Sequence, residues 1–486
     1  MDLKINSIFT GSKEAILKFW WLAFGFLIAW HHCYWFSYSN FFNAELLSQV
    51  VTYTWLINLA SFVGTIVFVI VSQRSKLSIS PNDKYFTVRI VSASIILAIS
   101  SLALSFLNGI NDLFLIAYAL SVIMGVAEAT LWILWGVLST YLKVSFSIRN
   151  TGYIIGGLML ISSLISMFMP KVISSIFIAL MPLIFLLLLL LLLKKTDVSF
   201  FTSQPPQIQK DESAISIIQR ICIGVFVAAF SCYYLIAIIP WEDLIFQQRS
   251  FEIGTLLGAI LLVIMGGYAH LSKYRNLFGS SFNLMFSVLL VAFMFFLLDQ
   301  SYYLASFLLA LSVFTVLEVE IIAFFARLTA NGFLSSVLAF GFAAGFARAG
   351  ILGGNTLAVF YEAFPEFRAQ VYEMTGLILA VILLFSFISV IKQSYAIDKI
   401  TQIDDFNERM IAVSEHISKE FALSPKESEV LTEFALNKTA EEIAESMQLS
   451  IHTINTHIRH IYEKTGIHRK NDLLKYIHKL GDEIFN

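Results

Sequence analysis

The chain has 486 residues, 58% of them hydrophobic and only 14% charged, with a formal net charge of −2 and a mean hydropathy of +0.77. Soluble domains carry about 25% charged residues, so this balance excludes an ordinary soluble enzyme and points to a polytopic membrane protein. Cys33, Cys222 and Cys232 lie in apolar stretches without CxxC or Cys/His spacing, which argues against zinc or a disulfide framework.

A helix needs about 20 mostly apolar residues to cross the hydrocarbon core. Twelve segments qualify, at roughly 17–37, 50–72, 88–107, 113–140, 150–169, 172–193, 220–240, 253–271, 277–298, 302–325, 333–361 and 374–392. The N-terminal stretch MDLKINSIFTGSKEAILKFWW has no small-residue cleavage site after its first apolar run, which predicts a retained helix. The polar gap 194–219 contains Pro205-Pro206 and divides the spans six and six. With the N-terminus in the cytoplasm, cytoplasmic loops hold sixteen Lys and Arg, among them Arg74, Lys76, Lys194, Lys195 and Arg327. Outside loops then hold only Lys171, Arg249 and Arg368, a positive-inside bias that predicts cytoplasmic N- and C-termini at the cell inner membrane.

Six plus six spans with a long middle loop resembles the major facilitator fold over about 390 residues. The resemblance rests on topology, because the loop VSQRSKLSISPNDKYFTVR does not carry that family's basic motif. The fourth span reads MGVAEATLWILWG and holds Glu128; the tenth reads VLEVEIIAFFAR and holds Glu318 and Glu320. The spans that follow are both Gly-rich, TGYIIGG and GFAAGFARAGILGG. Related halves bind ligand between them near the midplane. A charge at that depth costs about 2.5–3.5 kcal/mol, so Glu128, Glu318, Glu320, Arg348 and His31, with His32, are candidate ligand-binding residues. Pairing of Arg348 with a glutamate of the other half would neutralise both, and such a pair equally serves helix packing. Trp30, Trp35, Trp132 and Trp135 either line an aromatic pocket or, more often for such residues, anchor the interface. Gly341 and Gly345 have the spacing that lets helices approach closely.

After 392 the composition turns polar. Ile403, Phe406, Met410, Val413 and Ile417 form a stripe of alternating three- and four-residue steps within a helical linker, 393–419. The stripe serves either packing on the neighbouring domain or a short dimeric coiled coil.

Residues 420–486 break into four short helices. Ser424-Pro425-Lys426-Glu427 and Thr439-Ala440-Glu441-Glu442 read as capping boxes, and Ser450 caps the third helix. Val430, Leu431, Phe434 and Ala435 give the first helix a buried face, as do Ile443, Ala444 and Met447 in the second. In SIHTINTHIRHIYEKTG, Ile454, Ile458 and Ile461 recur at i, i+4, i+7 and face the core. Asn455, Thr456 and Arg459 occupy another face, with His452 at its start. Asn pairs bidentately with adenine and Arg with guanine in a major groove. Thr453 and Lys464 suit phosphate contacts, which position without specifying. Charge is uneven, with acid concentrated in 420–449 and base in 450–480, where Arg459, Lys464, Arg469, Lys470, Lys475 and Lys479 lie.

The run LSPKESEVL…KTAEEIAESMQLSIHTINTHIRHIYEKTGIHRKNDL closely resembles the LuxR-type (GerE) helix-turn-helix family over about 60 residues. Matching positions include Leu423, Pro425, Glu427, Val430, Leu431, Thr439, Glu442, Ile443, Ala444, Ser450, Thr453, Ile454, His457, Ile461, Tyr462, Lys464, Gly466, Ile467 and Leu473. The resemblance implies a third helix in the major groove and a fourth that dimerises, hence two half-sites on double-stranded DNA. It makes Thr439, His452, Thr453, Asn455, Thr456, Arg459, Lys464 and Lys470 the candidate DNA-binding residues. Departures fall at Asn455, where the family usually has Lys, at Asn437 for Gly, at Arg469 for Ser and at Lys470 for Arg. His457 matches the family but lies beside the core stripe, which favours a packed role.

No nucleophile–base constellation, Walker loop or phospho-acceptor domain is legible, so neither an enzyme nor a two-component response regulator is expected, and no cofactor. The expected fold is all-α, a twelve-helix transmembrane bundle followed by a cytoplasmic four-helix LuxR-type domain. The expected function is a membrane-anchored one-component transcriptional regulator that senses a small molecule or a membrane condition. A secondary transporter with a regulatory tail is the alternative, and a module merely anchored by its membrane part ranks third.

Overall fold

The computed structural model describes residues 13–36, 47–74, 84–107, 111–141, 151–195, 212–239, 244–271, 278–401, 405–436, 438–447 and 449–485. The loop after the second span, most of the middle loop, Ile403 and Asn437 lie outside them. The chain divides into two compact units, 1–401 and 402–486.

The first unit comprises α1 (Lys13–Phe36), α2 (Leu47–Arg74), α3 (Lys84–Leu107), α4 (Phe114–Tyr141), α5 (Gly157–Phe168), α6 (Lys171–Lys195) and α7 (Glu212–Ile238). It continues through α8 (Leu244–Leu271), α9 (Phe278–Leu298), α10 (Tyr303–Ala330), α11 (Ser336–Ala363), α12 (Pro365–Ile391) and α13 (Ser394–Thr401). Among the described residues, ten helices are long and apolar enough to cross a membrane. The fifth segment falls short of the expected length: its apolar helix, Gly152–Phe168, opens with a π-helical turn, Thr151–Gly156.

Neighbour relations repeat between the two sets of six. The pairs α1 with α6, α1 with α5, α2 with α4, α3 with α4 and α3 with α6 recur as α7 with α12, α7 with α11, α8 with α10, α9 with α10 and α9 with α12. The sets meet where α2 packs on α11 and α5 on α8. Small residues permit these approaches. A Cβ at Gly341 would fall 2.4 Å from Val69, and one at Gly152 would fall 2.4 Å from the Leu262 carbonyl. Gly345 faces nothing so close, so the close approach at this motif rests on Gly341.

Trp30, Trp35 and Trp135 are buried in the helix core rather than placed as lipid-facing anchors. Trp135 stacks between Phe24, at 3.5 Å between centroids, and Trp20, at 5.4 Å. These helices are apolar all round, so composition cannot indicate which face turns inward.

The described residues of the expected linker fall in two helices, one in each unit. α13 belongs to the first unit, where Asp398 accepts a hydrogen bond from the Gly279 amide at the start of α9 (2.9 Å) and Asn331 donates to the Ile400 carbonyl (2.7 Å). The next helix, α14 (Asp405–Glu420), belongs to the second unit with α15 (Pro425–Ala435), α16 (Ala440–Met447), α17 (Ile451–Thr465) and α18 (Lys470–Phe485). Met410, Val413 and Ile417 of α14 are buried with Val430, Leu431, Ile454, Ile461, Leu473 and Ile477 in one core. The described part of the three-four stripe, Met410, Val413 and Ile417, is therefore packed inside this unit, where α14 lies against α15 and α18.

Fragments test this division. A fragment starting at Asp405 is expected to unfold cooperatively in urea. One starting at Phe421 exposes the surface covered by Met410, Val413 and Ile417, and should lose several kcal/mol at about 1.5–3 kcal/mol per buried side chain. Equal urea midpoints would show that α14 is only an appendage.

Candidate DNA interface and intramembrane site

Both capping boxes form. Ser424 Oγ accepts from the Glu427 amide while Glu427 accepts from the Ser424 amide, and Thr439 and Glu442 repeat the exchange at α16. Ser450 Oγ accepts from the Thr453 amide at the start of α17 (3.1 Å), and Gly466, with φ of 70°, ends that helix. The left-handed conformation explains a glycine there.

Ile454 and Ile461 are buried and Ile458 partly so, which fixes the rotation of α17. At 3.6 residues per turn, His452, Asn455, Thr456 and Arg459 then share an arc of about 100° opposite Ile454. His452, Asn455 and Arg459 are exposed, and Thr456 bonds the His452 carbonyl (3.0 Å). Arg459 lies 3.8 Å from Glu463, a highly exposed pair that costs little to break. Glu463 shares the outer face and was not singled out in the sequence.

Lys464 and Lys470 each have a partner within the domain. Lys464 Nζ donates to Glu427 Oε2 (2.6 Å) and to the Ala422 carbonyl (3.3 Å), which commits its charge to a buried carboxylate rather than leaving it free for phosphate. Lys470 Nζ sits 5.1 Å over the Phe434 ring. Thr439 acts as the α16 cap, Thr453 exchanges a hydrogen bond with Ser450 (2.8 Å), and His457 is half-buried. Burial would raise the Glu427 carboxyl, but the Lys464 ammonium and the Ser424 amide outweigh it and hold it at about 2.

In the first unit the structure brings together residues from four expected positions. Arg348 Nη2 lies 2.6 Å from Glu128 Oε1, so α11 of one set pairs with α4 of the other. His31 on α1 bridges two carboxylates, with Nδ1 2.8 Å from Glu128 and Nε2 3.1 Å from Glu318. Arg348 Nη1 stands 3.8 Å from Glu318 Oε1, beyond hydrogen-bond length. His32 Nε2 lies 3.3 Å from Glu318 Oε2 and Asn58 Oδ1 accepts from Arg348 at 3.4 Å. Trp132 donates to Glu128 (3.4 Å). Glu128, Glu318 and Arg348 each sit near the middle of a 28-residue helix. Glu320 is also buried, but two residues further on it points about 200° away around α10 and does not join the group. Of the four tryptophans, Trp132 lines a cleft beside the cluster, together with Glu318, Arg348, Ile321, Ile322, Phe340, Ala343, Ala344 and Ala347. Asn58 was missed because an amide in an apolar helix carries no charge signal.

Residues 422–477 match the family described as bacterial regulatory proteins, luxR family. Over 67 residues the chain is 37% identical to a probable HTH-type transcriptional regulator, GfsR, of Streptomyces halstedii, covering 14% of this chain and 28% of that protein. Over 94 residues it is 34% identical to an uncharacterized response regulatory protein, YgeK, of Escherichia coli, covering 18% of this chain and 64% of that protein. The chain thus spans less than two thirds of either relative. The C-terminal segment is a LuxR-type helix-turn-helix domain.

The Glu427–Lys464 pair gives a pH test on the Asp405 fragment. A carboxylate held at about 2, below its ordinary 4.5, contributes stability that is complete above about pH 5 and is lost as pH falls towards 2. Glu427→Gln should lower the urea midpoint at pH 7 and flatten its fall between pH 5 and 2. An unchanged slope would remove this pair as the cause.

Proposed function

We propose that the LuxR-type domain, carried on a chain with a large apolar helical unit, makes this protein a membrane-anchored one-component transcriptional regulator. The observation that carries the reading is the outward face of α17, where His452, Asn455 and Arg459 are exposed while Ile454, Ile458 and Ile461 are turned inward. In this reading α17 enters the major groove and two copies bind two half-sites. Arg459 and Asn455 read base edges, His452 and Thr456 flank them, and Thr439, Thr453 and Lys470 lie towards the backbone.

The repeated helix neighbours support a facilitator-like bundle of twelve spans in which α1 and the π-started fifth segment count as spans. An even count and the positive-inside bias support cytoplasmic termini at the inner membrane, on the side where DNA lies. The buried charges linking the two sets, Glu128, Glu318, Arg348 and His31, support a sensing role between them. Coupling has a short route. Glu318 is on α10, Asn331 just past the end of α10 holds Ile400, and Ile400 precedes α14 by a few residues of chain. A ligand that favours one arrangement of the halves shifts the population of DNA-competent domains; equal affinity for both shifts nothing. A transporter with a regulatory tail is the second reading, favoured by the same buried cluster. Substrate flux in proteoliposomes that Glu128→Gln abolishes would select it.

Arg459→Ala is expected to weaken binding to a specific site by about 1–3 kcal/mol. Gel shift on specific and unrelated DNA checks this, and equal loss on both would contradict base reading. Mapping chromosomal sites occupied by the full-length protein should find discrete promoters whose occupancy changes with nutrient. A map with no enriched sites would end the regulator reading.

A further inference from the structure

The cleft beside the intramembrane cluster offers one carboxylate and one guanidinium on otherwise apolar walls. Glu318 and Arg348 both line it, 3.8 Å apart, with Ile322, Phe340 and Ala347 around them. Each charge is secured from behind. Arg348 keeps Glu128 at 2.6 Å and Asn58 at 3.4 Å, while His31 and His32 stand 3.1 and 3.3 Å from Glu318 Oε2. Glu318 Oε2 is taken up by the two imidazoles, while Oε1 stands 3.8 Å from Arg348, longer than a hydrogen bond. Glu318 Oε1 is therefore left to accept from an N–H donor, and the guanidinium retains N–H groups beyond those aimed at Glu128 and Asn58.

This arrangement discriminates by charge. A simple cation at Glu318 lies against the Arg348 guanidinium, and a simple anion at Arg348 lies against the Glu318 carboxylate; like charges placed together in a poorly solvated site are strongly unfavourable. A molecule carrying both charges on adjacent groups lies antiparallel across the pair and satisfies both. The rest of the lining, among it Ile321, Ile322, Phe340 and Ala347, is aliphatic and aromatic carbon, which suits an apolar side chain. We infer that this cleft binds a free α-amino acid with an apolar side chain, its ammonium on Glu318 and its carboxylate on Arg348. The inference rests on the sensing role proposed for the membrane unit and names the ligand class.

Full-length protein in nanodiscs tests it, with calorimetric titration of L-leucine, L-valine and L-phenylalanine against two fragments of leucine, isopentylamine and 4-methylpentanoate. At least one amino acid should bind saturably, and its matching amine and acid at least tenfold more weakly. Glu318→Gln, which leaves the Glu128–Arg348 pair in place, should weaken that amino acid at least tenfold. Glu320→Gln, which lies off the cleft, should not. Lack of binding by all three amino acids, binding of the amine or the acid as tight as that of the amino acid, or indifference to Glu318→Gln would overturn the assignment. The same samples titrated with promoter DNA separate the two ideas. Amino-acid binding without any change in DNA affinity removes the sensing role and leaves the site. Intact specific DNA binding with no amino-acid binding removes the site and leaves the regulator.

Discussion

The ion pair between Glu128 and Arg348 is the constraint on which the first unit depends. Either charge alone at the middle of an apolar helix is costly, and removing one partner would strand the other. Because the two residues stand on α4 and α11, their 2.6 Å contact ties the first set of six helices to the second. The helices that carry the pair also pack closely on their neighbours within each set. A Cβ at Gly125 would fall 2.3 Å from the Ile57 carbonyl, and one at Gly350 would fall 2.6 Å from the Phe226 carbonyl. Glycine at these positions brings α4 against α2 and α11 against α7, the helices that carry and flank the pair. Small-residue packing and charge neutralisation are thus two halves of one solution to burying polarity without water.

Much of this was legible because the membrane makes sequence patterns severe. Long apolar runs announce helices, and an isolated Arg or Glu within one announces a partner. What the runs do not announce is facing. Glu318 and Glu320 are equivalent in the sequence, yet only Glu318 turns towards Arg348, because that choice is made by how α10 packs on its neighbours. Trp30 and Trp135 went inward for the same reason: when every face of a helix is apolar, composition has no vote on which one meets lipid. Asn58 completes the cluster from a helix where nothing but three-dimensional proximity marks it.

In the LuxR-type domain the balance is reversed. Caps, the stripe of isoleucines and the terminal glycine locate α15 to α18, because a small soluble unit must state its inside and outside residue by residue. Side-chain partners there were not legible where they are distant in sequence. Lys464 reads as a free basic residue until the fold brings Glu427, 37 positions earlier, within 2.6 Å. The apolar stripe of α14 likewise calls for a partner without saying whose. Val413 and Ile417, both at 0% exposure, show that the partner is the same unit. Counting charges or apolar positions measures supply, whereas contacts decide how the supply is used.

In the proposed regulator, a small difference at the cleft would have to become a large one at DNA. Moving an equilibrium from 1:99 to 99:1 takes about 5.5 kcal/mol of differential affinity. A tightly closed ion pair has little left to give, since a ligand would merely replace one good contact by another. Arg348 and Glu318 at 3.8 Å form no such closed pair, while Arg348 and Glu128 at 2.6 Å do. Within one cluster the short contact holds the halves together and the long one leaves interaction energy unspent. A bridging ligand gains most in whichever arrangement sets these two groups at its own charge spacing. Glu318 lies on α10 and the Asn331 that holds Ile400 directly follows it, so under the proposed coupling a preference expressed at the cleft would also be a preference about where that helix ends. That end is where the chain leaves for the DNA-binding domain.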